Sequence, residues 1–122
     1  EDGLDEISIA ADTLVAELKD GEIVEYGIGP EDFGLQRGSL DSLKVKDAKD
    51  SLDMVKSALS KKGGVASDMV ALNAGAALYV AGVTADLTEG ISLAQDALGS
   101  GLARAKMDDL AAFTRCLKEL DR

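Results

Sequence analysis

The chain has 122 residues, of which 46% are hydrophobic and 30% charged, so it can bury one modest core and is too apolar to be disordered. Its formal net charge of −10 disfavours binding to nucleic acid or to an anionic membrane surface. It contains no histidine, which excludes serine triads, papain-like sites and zinc sites that use histidine. The one cysteine, Cys116, excludes an internal disulfide and suits a reducing compartment.

A cytoplasmic protein without a membrane partner is expected. The opening residues, Glu-Asp-Gly-Leu-Asp-Glu, lack the basic and apolar regions of a signal peptide. The longest apolar run, residues 69–83, is too short to span a bilayer and is interrupted by Asn73, Gly75 and Gly82.

The first part of the chain predicts a β-hairpin preceded by a short strand at residues 7–9. Residues 13–18 and 22–28 alternate between apolar and polar positions, with Leu14, Ala16 and Leu18 on one face of the first strand and Val24, Tyr26 and Ile28 on one face of the second. Asp20-Gly21 between them is a strong signal for a two-residue turn. Because a two-stranded sheet is marginal by itself, we expect the hairpin to border a sheet whose other strands lie outside these residues.

Gly29-Pro30 is predicted to end the second strand, since proline cannot donate to a strand ladder. Residues 31–46 are rich in turn formers and are predicted to be irregular, with Phe33 and Leu35 as anchors to the core.

Four helices are predicted after Asp47, where the apolar period becomes helical. The first ends at the break of residues 61–64. The second, 67–81, is apolar nearly all round and should be the buried central helix, capped by Ser67 or Asp68 and ended by Gly82. The third opens at Asp86 with Glu89 as capping-box partner, and residues 99–101 stop it. The stripes expected to face inward are Ala48, Leu52, Val55 and Leu59 in the first helix, Leu87, Ile91, Ala94 and Leu98 in the third, and Leu110, Phe113, Leu117 and Leu120 in the last.

Asp5 and Glu6 are the first candidate for chemistry. In the glycine-started turn Gly3-Leu4-Asp5-Glu6 both carboxylates can bend toward one hard cation, and magnesium commonly takes one or two protein carboxylates and completes its shell with water and substrate phosphates. From spacing alone, the plainer interpretation is an acidic pair in a solvated turn.

Three other features favour structural roles. Residues 61–64, Lys-Lys-Gly-Gly before a helix, superficially form a phosphate cradle, but they lack the P-loop spacing and a preceding strand, so a helix connector is expected. Asn73 and Tyr79 on the buried helix are expected to satisfy neighbouring backbone groups. Cys116, in an amphipathic helix, is expected to be a packing residue.

The order of several segments is more informative than any one motif. They are Asp2-Gly3-Leu4-Asp5-Glu6-Ile7, Pro30-Glu31-Asp32-Phe33-Gly34-Leu35, the run from Leu72 to Gly82, and Glu89-Gly90 followed by the Ser100-Gly101 break. In this order the chain resembles the C-terminal part of the anthranilate phosphoribosyltransferases. Gly75 stands where that family more often has alanine.

The resemblance implies a fold in which a small helical domain joins a larger α/β domain. It implies transfer of the phosphoribosyl group of phosphoribosyl pyrophosphate to anthranilate, with release of pyrophosphate, in tryptophan biosynthesis. It assigns to Asp5 and Glu6 the binding of Mg²⁺ at the pyrophosphate. It assigns no catalytic or cofactor-binding residue to this chain.

By the same resemblance, residues 1–122 are an incomplete C-terminal portion of the glycosyltransferase-type α/β domain. The glycine-rich pyrophosphate loop, the anthranilate-contacting residues and the N-terminal helices of the small domain would lie in the remainder of the polypeptide. We therefore expect no turnover from this chain alone, and a homodimer at full length.

Two alternatives stay open from the sequence. One is a related phosphoribosyltransferase, or a nucleoside phosphorylase-like enzyme, with another acceptor, since no residue here is expected to touch the acceptor. The other is a non-catalytic interaction module, which would be a monodisperse protein that melts cooperatively without a partner.

Overall fold

The computed structural model describes residues 2–120. Two strands, β1 (Thr13–Lys19) and β2 (Glu22–Ile28), are followed by four helices, α1 (Ala48–Ala58), α2 (Val65–Val80), α3 (Leu87–Ser100) and α4 (Leu102–Leu120). Between β2 and α1 lie two short 3₁₀ helices, Pro30–Phe33 and Leu40–Leu43. This order confirms the predicted hairpin, the irregular segment after it and the four helices.

The hairpin forms through the turn that its sequence predicts. Asp20 and Gly21 both have positive φ, 52° and 82°, as a tight turn between twisted antiparallel strands requires. The resulting register pairs Val15 with Tyr26 and Thr13 with Ile28. These residues form the inner face, whereas the outer face is apolar and exposed: Leu14, Leu18 and Ile23 are 78%, 74% and 71% exposed.

The strand predicted at residues 7–9 is wrong. The segment is anchored without a strand partner: its Ile7 backbone is bound by a side chain, and the Ile9 carbonyl accepts from the Gly38 N–H at 2.9 Å. Ile9 is fully buried and Ile7 packs against the same core. The alternation of apolar residues here therefore marks a segment that is fixed to the core without forming a strand.

The core lies between the N-terminal segment, α2 and α3. One cluster combines Ile9, Leu35, Leu72 and Ile91, with Phe33 packed against it, which confirms Phe33 and Leu35 as anchors. A second cluster consists of Ala71, Ala94 and Leu98. The third helix therefore buries the predicted stripe. The second helix, α2, is central as predicted but is not buried all round, since Val80 is 83% exposed.

Close approach of α2 and α3 depends on two glycines. A Cβ on Gly75 would lie 2.5 Å from the Ile91 amide nitrogen, and one on Gly90 would lie 2.3 Å from the Gly75 carbonyl oxygen. A side chain at either position would require the helices to separate, so both glycines have a packing role.

The start of α3 follows its predicted cap, and α1 starts at a cap of the same kind that was not predicted. The side chains of Asp47 and Asp86 accept the N–H groups of Asp50 and Glu89, each at 2.8 Å. Glu89 in turn accepts the N–H of Ala85, one residue before the expected Asp86.

The predicted cap of α2 by Ser67 or Asp68 is wrong. The helix begins two residues earlier, at Val65 after Gly64. Ser67 instead donates to the Ala58 carbonyl at 2.6 Å and ties α2 to the end of α1.

The last helix does not face inward as predicted. Its apolar stripe is exposed: Leu110, Phe113, Leu117 and Leu120 are 60%, 61%, 44% and 77% exposed, and Cys116 is exposed as well. Periodicity identified an amphipathic helix correctly, but nothing within residues 2–120 lies opposite its apolar side. The α1 stripe is partly exposed for the same reason, at Leu52 and Val55.

Candidate metal site

Asp5 and Glu6 lie in an exposed bend that is closed by hydrogen bonds within residues 2–8. Gly3 has a φ of 85°, which allows the chain to turn before the acidic pair. At the base of the bend the Ser8 hydroxyl donates to Asp2 Oδ2, and Asp2 Oδ1 accepts the Leu4 N–H at 3.2 Å. These bonds, first that from Ser8, hold the pKa of Asp2 below its ordinary value.

The base of the bend is fixed to the start of the hairpin. Ser8 is 2% exposed, its N–H donates to Thr13 Oγ1 at 3.2 Å, and its Oγ accepts the Ala10 N–H at 3.0 Å. The bend thus projects from a buried, hydrogen-bonded base while the acidic pair stays in solvent.

A helix side chain holds the other end of the bend. Asn73 Oδ1 accepts the Ile7 N–H at 2.9 Å, and Asn73 Nδ2 donates to the Ile7 carbonyl at 2.9 Å and to the Met69 carbonyl at 3.0 Å. The prediction that Asn73 satisfies backbone groups is confirmed. Its partner 66 residues away carried no signal in the sequence.

The donors present fit magnesium and do not fit a closed protein cage. Within residues 2–120, no cluster of three or more histidine, cysteine or acidic side chains is arranged to hold a metal. Asp5 and Glu6 are exposed carboxylates without a hydrogen-bond or ion-pair partner among those residues. Magnesium accepts one or two such ligands when water and phosphate oxygens supply the others.

The remaining candidates have structural contacts. Residues 61–64 connect α1 to α2, with positive φ at Gly63 and Gly64, which agrees with the predicted helix connector. Arg37 binds both Glu31 oxygens at 2.8 and 2.9 Å and Asp12 Oδ1 at 2.6 Å, which joins the 3₁₀ segment to the start of the hairpin. The Arg37 guanidinium lowers the pKa of Glu31 from 4.5 to about 2.

Tyr79 fastens the hairpin to α2 instead of satisfying backbone groups, so that prediction is wrong. Its hydroxyl donates to Glu17 Oε1, while Tyr26 donates to Glu17 Oε2 at 3.0 Å and Lys19 donates to the Tyr79 oxygen at 3.3 Å. The hydroxyls, Tyr79 first, lower the pKa of Glu17. The partners of Tyr79 are side chains of β1, and spacing in the sequence does not show that this strand lies against α2.

The wider openings beside α2 lie on two of its sides. A cleft of about 530 Å³ separates it from the hairpin beside Glu17 and Tyr79. An apolar groove of about 660 Å³ lies between α2, α3 and the start of α4 and includes Val70, Leu78, Leu93 and Leu102.

Among residues 2–120, no helix is both long and apolar enough to cross a bilayer.

Comparison with known proteins gives a consistent set of similarities. Residues 1–104 match the family described as "Glycosyl transferase family, a/b domain". The chain is 57% identical to the anthranilate phosphoribosyltransferase of Marinomonas sp. (strain MWYL1) and 61% identical to that of Chromohalobacter salexigens, over 99% of its length in each case. It spans only 36% and 35% of those relatives, about a third of their length.

Solved structures agree on the fold. The anthranilate phosphoribosyltransferase of Thermus thermophilus superposes with a TM-score of 0.80 at 33% identity, covering 94% of this chain and 34% of the other. The Saccharomyces cerevisiae enzyme in complex with 4-fluoroanthranilate gives a TM-score of 0.73 at 23% identity, covering 87% and 31%. The hairpin and four helices are therefore part of an α/β enzyme fold.

Proposed function

We propose that this chain, which belongs to the glycosyl transferase family through its α/β domain, is the C-terminal portion of that domain in an anthranilate phosphoribosyltransferase. The reaction would move the phosphoribosyl group of phosphoribosyl pyrophosphate onto anthranilate and release pyrophosphate. The observation that carries the proposal is identity of 57% and 61% to two such enzymes over nearly the whole chain. In this role Asp5 and Glu6 are the magnesium ligands.

The part that this chain plays in the reaction is to position charge. When bound, Mg²⁺ would offset the negative charge that develops on the departing pyrophosphate. The bend keeps two carboxylates in solvent, where phosphate oxygens and water can reach the same cation. Its base is buried at Ser8, so the pair is presented from a fixed support and not from a free terminus.

The uncovered apolar surfaces support the view that the remainder of the polypeptide packs here. The outer face of the hairpin is exposed at Leu14, Leu18 and Ile23, and α4 exposes its whole apolar stripe. Exposed apolar areas of this kind mark surfaces that bind other protein. We therefore propose that the chain by itself does not catalyse the reaction. Formation of phosphoribosylanthranilate by the purified 122-residue chain would refute this proposal.

The assignments of cellular compartment and oligomeric state follow from the family. We propose a cytoplasmic enzyme that forms a homodimer at full length. Analytical ultracentrifugation of the complete protein tests the dimer, and a monomer across micromolar concentrations would contradict it.

The metal assignment is tested by neutralising the acidic pair in the complete protein. Asp5→Asn with Glu6→Gln should abolish most of the magnesium-dependent formation of phosphoribosylanthranilate. The assay measures product formation as a decrease in anthranilate fluorescence. The melting temperature should stay close to that of the unmodified protein, since both side chains are exposed without partners among residues 2–120.

A matched control removes the same charge elsewhere. Asp108 and Asp109 are adjacent and exposed on α4, where Asp108 also pairs with Arg104 at 3.3 Å. Asp108→Asn with Asp109→Asn should leave the magnesium dependence unchanged. Unchanged activity and magnesium dependence in the Asp5/Glu6 variant would show that the assignment is wrong. Turnover with a different acceptor, but none with anthranilate, would instead reassign the substrate.

A further inference from the structure

We propose that Asn73 is a positioning residue that holds the Asp5–Glu6 bend in register with α2 and so sets the affinity for the metal and its diphosphate. This inference rests on the proposed magnesium role of the acidic pair. It adds a residue on a different element, 66 positions away from the bend.

Asn73 grips one residue by both of its backbone polar groups. Its Oδ1 accepts the Ile7 N–H and its Nδ2 donates to the Ile7 carbonyl, each at 2.9 Å. The orientation of the amide is determined by this pairing, because a flipped amide would place an NH₂ group against an N–H and an oxygen against two carbonyls. A paired grip of this kind restricts both the position and the rotation of the Ile7 peptide groups, as a neighbouring strand would.

The Asn73 amide is also hydrogen-bonded to the backbone of its own helix, which restricts its movement. Asn73 Nδ2 also donates to the Met69 carbonyl, one turn earlier on α2, at 3.0 Å. The adjacent Leu72 is fully buried, and Ile7 packs against the cluster to which Leu72 belongs. The Asn73 amide is therefore held on two sides, by the backbone of Ile7 and by the backbone of its own helix.

Glu6 directly precedes Ile7, so the clamp acts on the peptide next to the acidic pair. The Asp2–Ser8 contacts close the bend on itself but do not reach α2. The contacts from Ser8 to Thr13 and from Ile9 to Gly38 lie after Ile7 in the chain. Among the described residues, Asn73 thus fixes the bend to the helix at the point nearest the carboxylates.

Losing the clamp should weaken metal binding more than it weakens the fold. Supporting residues behind metal ligands commonly contribute about tenfold to hundredfold in affinity. We expect Asn73→Ala in the complete protein to bind Mn²⁺ with pyrophosphate at least about tenfold more weakly, measured by electron paramagnetic resonance of free Mn²⁺. In the metal-free protein, the Ile7 amide should exchange with solvent faster.

Ser67→Ala is the matched control. Ser67 lies on the same helix, is 4% exposed and donates to a backbone carbonyl, that of Ala58, at 2.6 Å. Its loss removes one buried bond between a side chain of α2 and a backbone carbonyl without touching the bend. It should lower the melting temperature and leave the affinity for Mn²⁺ with pyrophosphate within about twofold of the unmodified protein, since its effect is confined to the α1–α2 contact.

The outcomes separate the inference from the proposed function. If the unmodified protein binds Mn²⁺ with pyrophosphate and Asn73→Ala binds equally well, the positioning role is wrong while the magnesium site stands. If the unmodified protein shows no such binding, the metal function fails and this inference fails with it. Should Asn73→Ala not fold, Asn73→Asp keeps an oxygen for the Ile7 N–H but loses both donor bonds, and unchanged affinity in that variant would overturn the proposal.

Discussion

Gly75→Ala is the substitution whose direction the structure decides most sharply. Gly75 is buried in the middle of α2, and a methyl group there would lie 2.5 Å from Ile91 Cγ1, 2.5 Å from Ile91 N and 2.6 Å from Ile91 Cα. Two of these three atoms are backbone, so no change of rotamer relieves them. Accommodation requires α2 and α3 to separate.

Two opposing effects set the magnitude. Alanine in place of glycine inside a helix gains about 0.5–1 kcal/mol because fewer unfolded conformations are lost. Overpacking a tight core costs about 1–3 kcal/mol, and rigid backbone neighbours favour the upper part of that range. We therefore expect Gly75→Ala to lower the free energy of unfolding by about 1–2 kcal/mol.

The assay is urea unfolding followed by circular dichroism, with Gly99→Ala in parallel. Gly99 lies in α3 and is exposed, and a Cβ added to it would have no neighbouring atom within 4 Å, so the same change should stabilise the protein slightly. The prediction is thus a difference in sign between two identical substitutions. If Gly75→Ala stabilised the protein as Gly99→Ala does, the close approach of the helices would be wrong.

Two further predictions concern polar contacts. Because Arg37 lowers the pKa of Glu31 from 4.5 to about 2, the stabilisation from this pair is complete above about pH 4.5 and is lost as the pH falls toward 2. The difference in unfolding free energy between the unmodified protein and Glu31→Gln should therefore be largest near pH 6 and shrink toward zero near pH 2, whereas a constant difference would contradict the ion pair. Tyr79→Phe should speed amide exchange across the hairpin by removing its bond from α2 to Glu17, while Tyr26→Phe, which removes a bond within the hairpin, should do so less.

Local chemistry made much of the fold predictable. Asp20-Gly21 specified the turn because both residues tolerate positive φ, and Asp86 specified a helix start because its short carboxylate reaches the N–H of Glu89. These signals depend on neighbours within a few residues, so no distant partner has to be known.

Features that depend on distant partners were not predictable. Residues 7–9 alternate as a strand does, yet their distant backbone partners, Asn73 and Gly38, do not belong to a strand. The stripe of α4 is amphipathic, but the pattern does not state which surface covers it. In the site, residue type and spacing made Asp5 and Glu6 a candidate and the resemblance gave them the magnesium role, while the contact of Asn73 with Ile7 could be found only in three dimensions.

Anomalous diffraction tests most directly the proposal that Asp5 and Glu6 share one cation beside pyrophosphate. Crystals of the complete protein soaked with Mn²⁺ and pyrophosphate should show an anomalous peak within coordination distance of both carboxylates, with phosphate oxygens on the same ion. A peak elsewhere, with both side chains pointing into solvent, would contradict it.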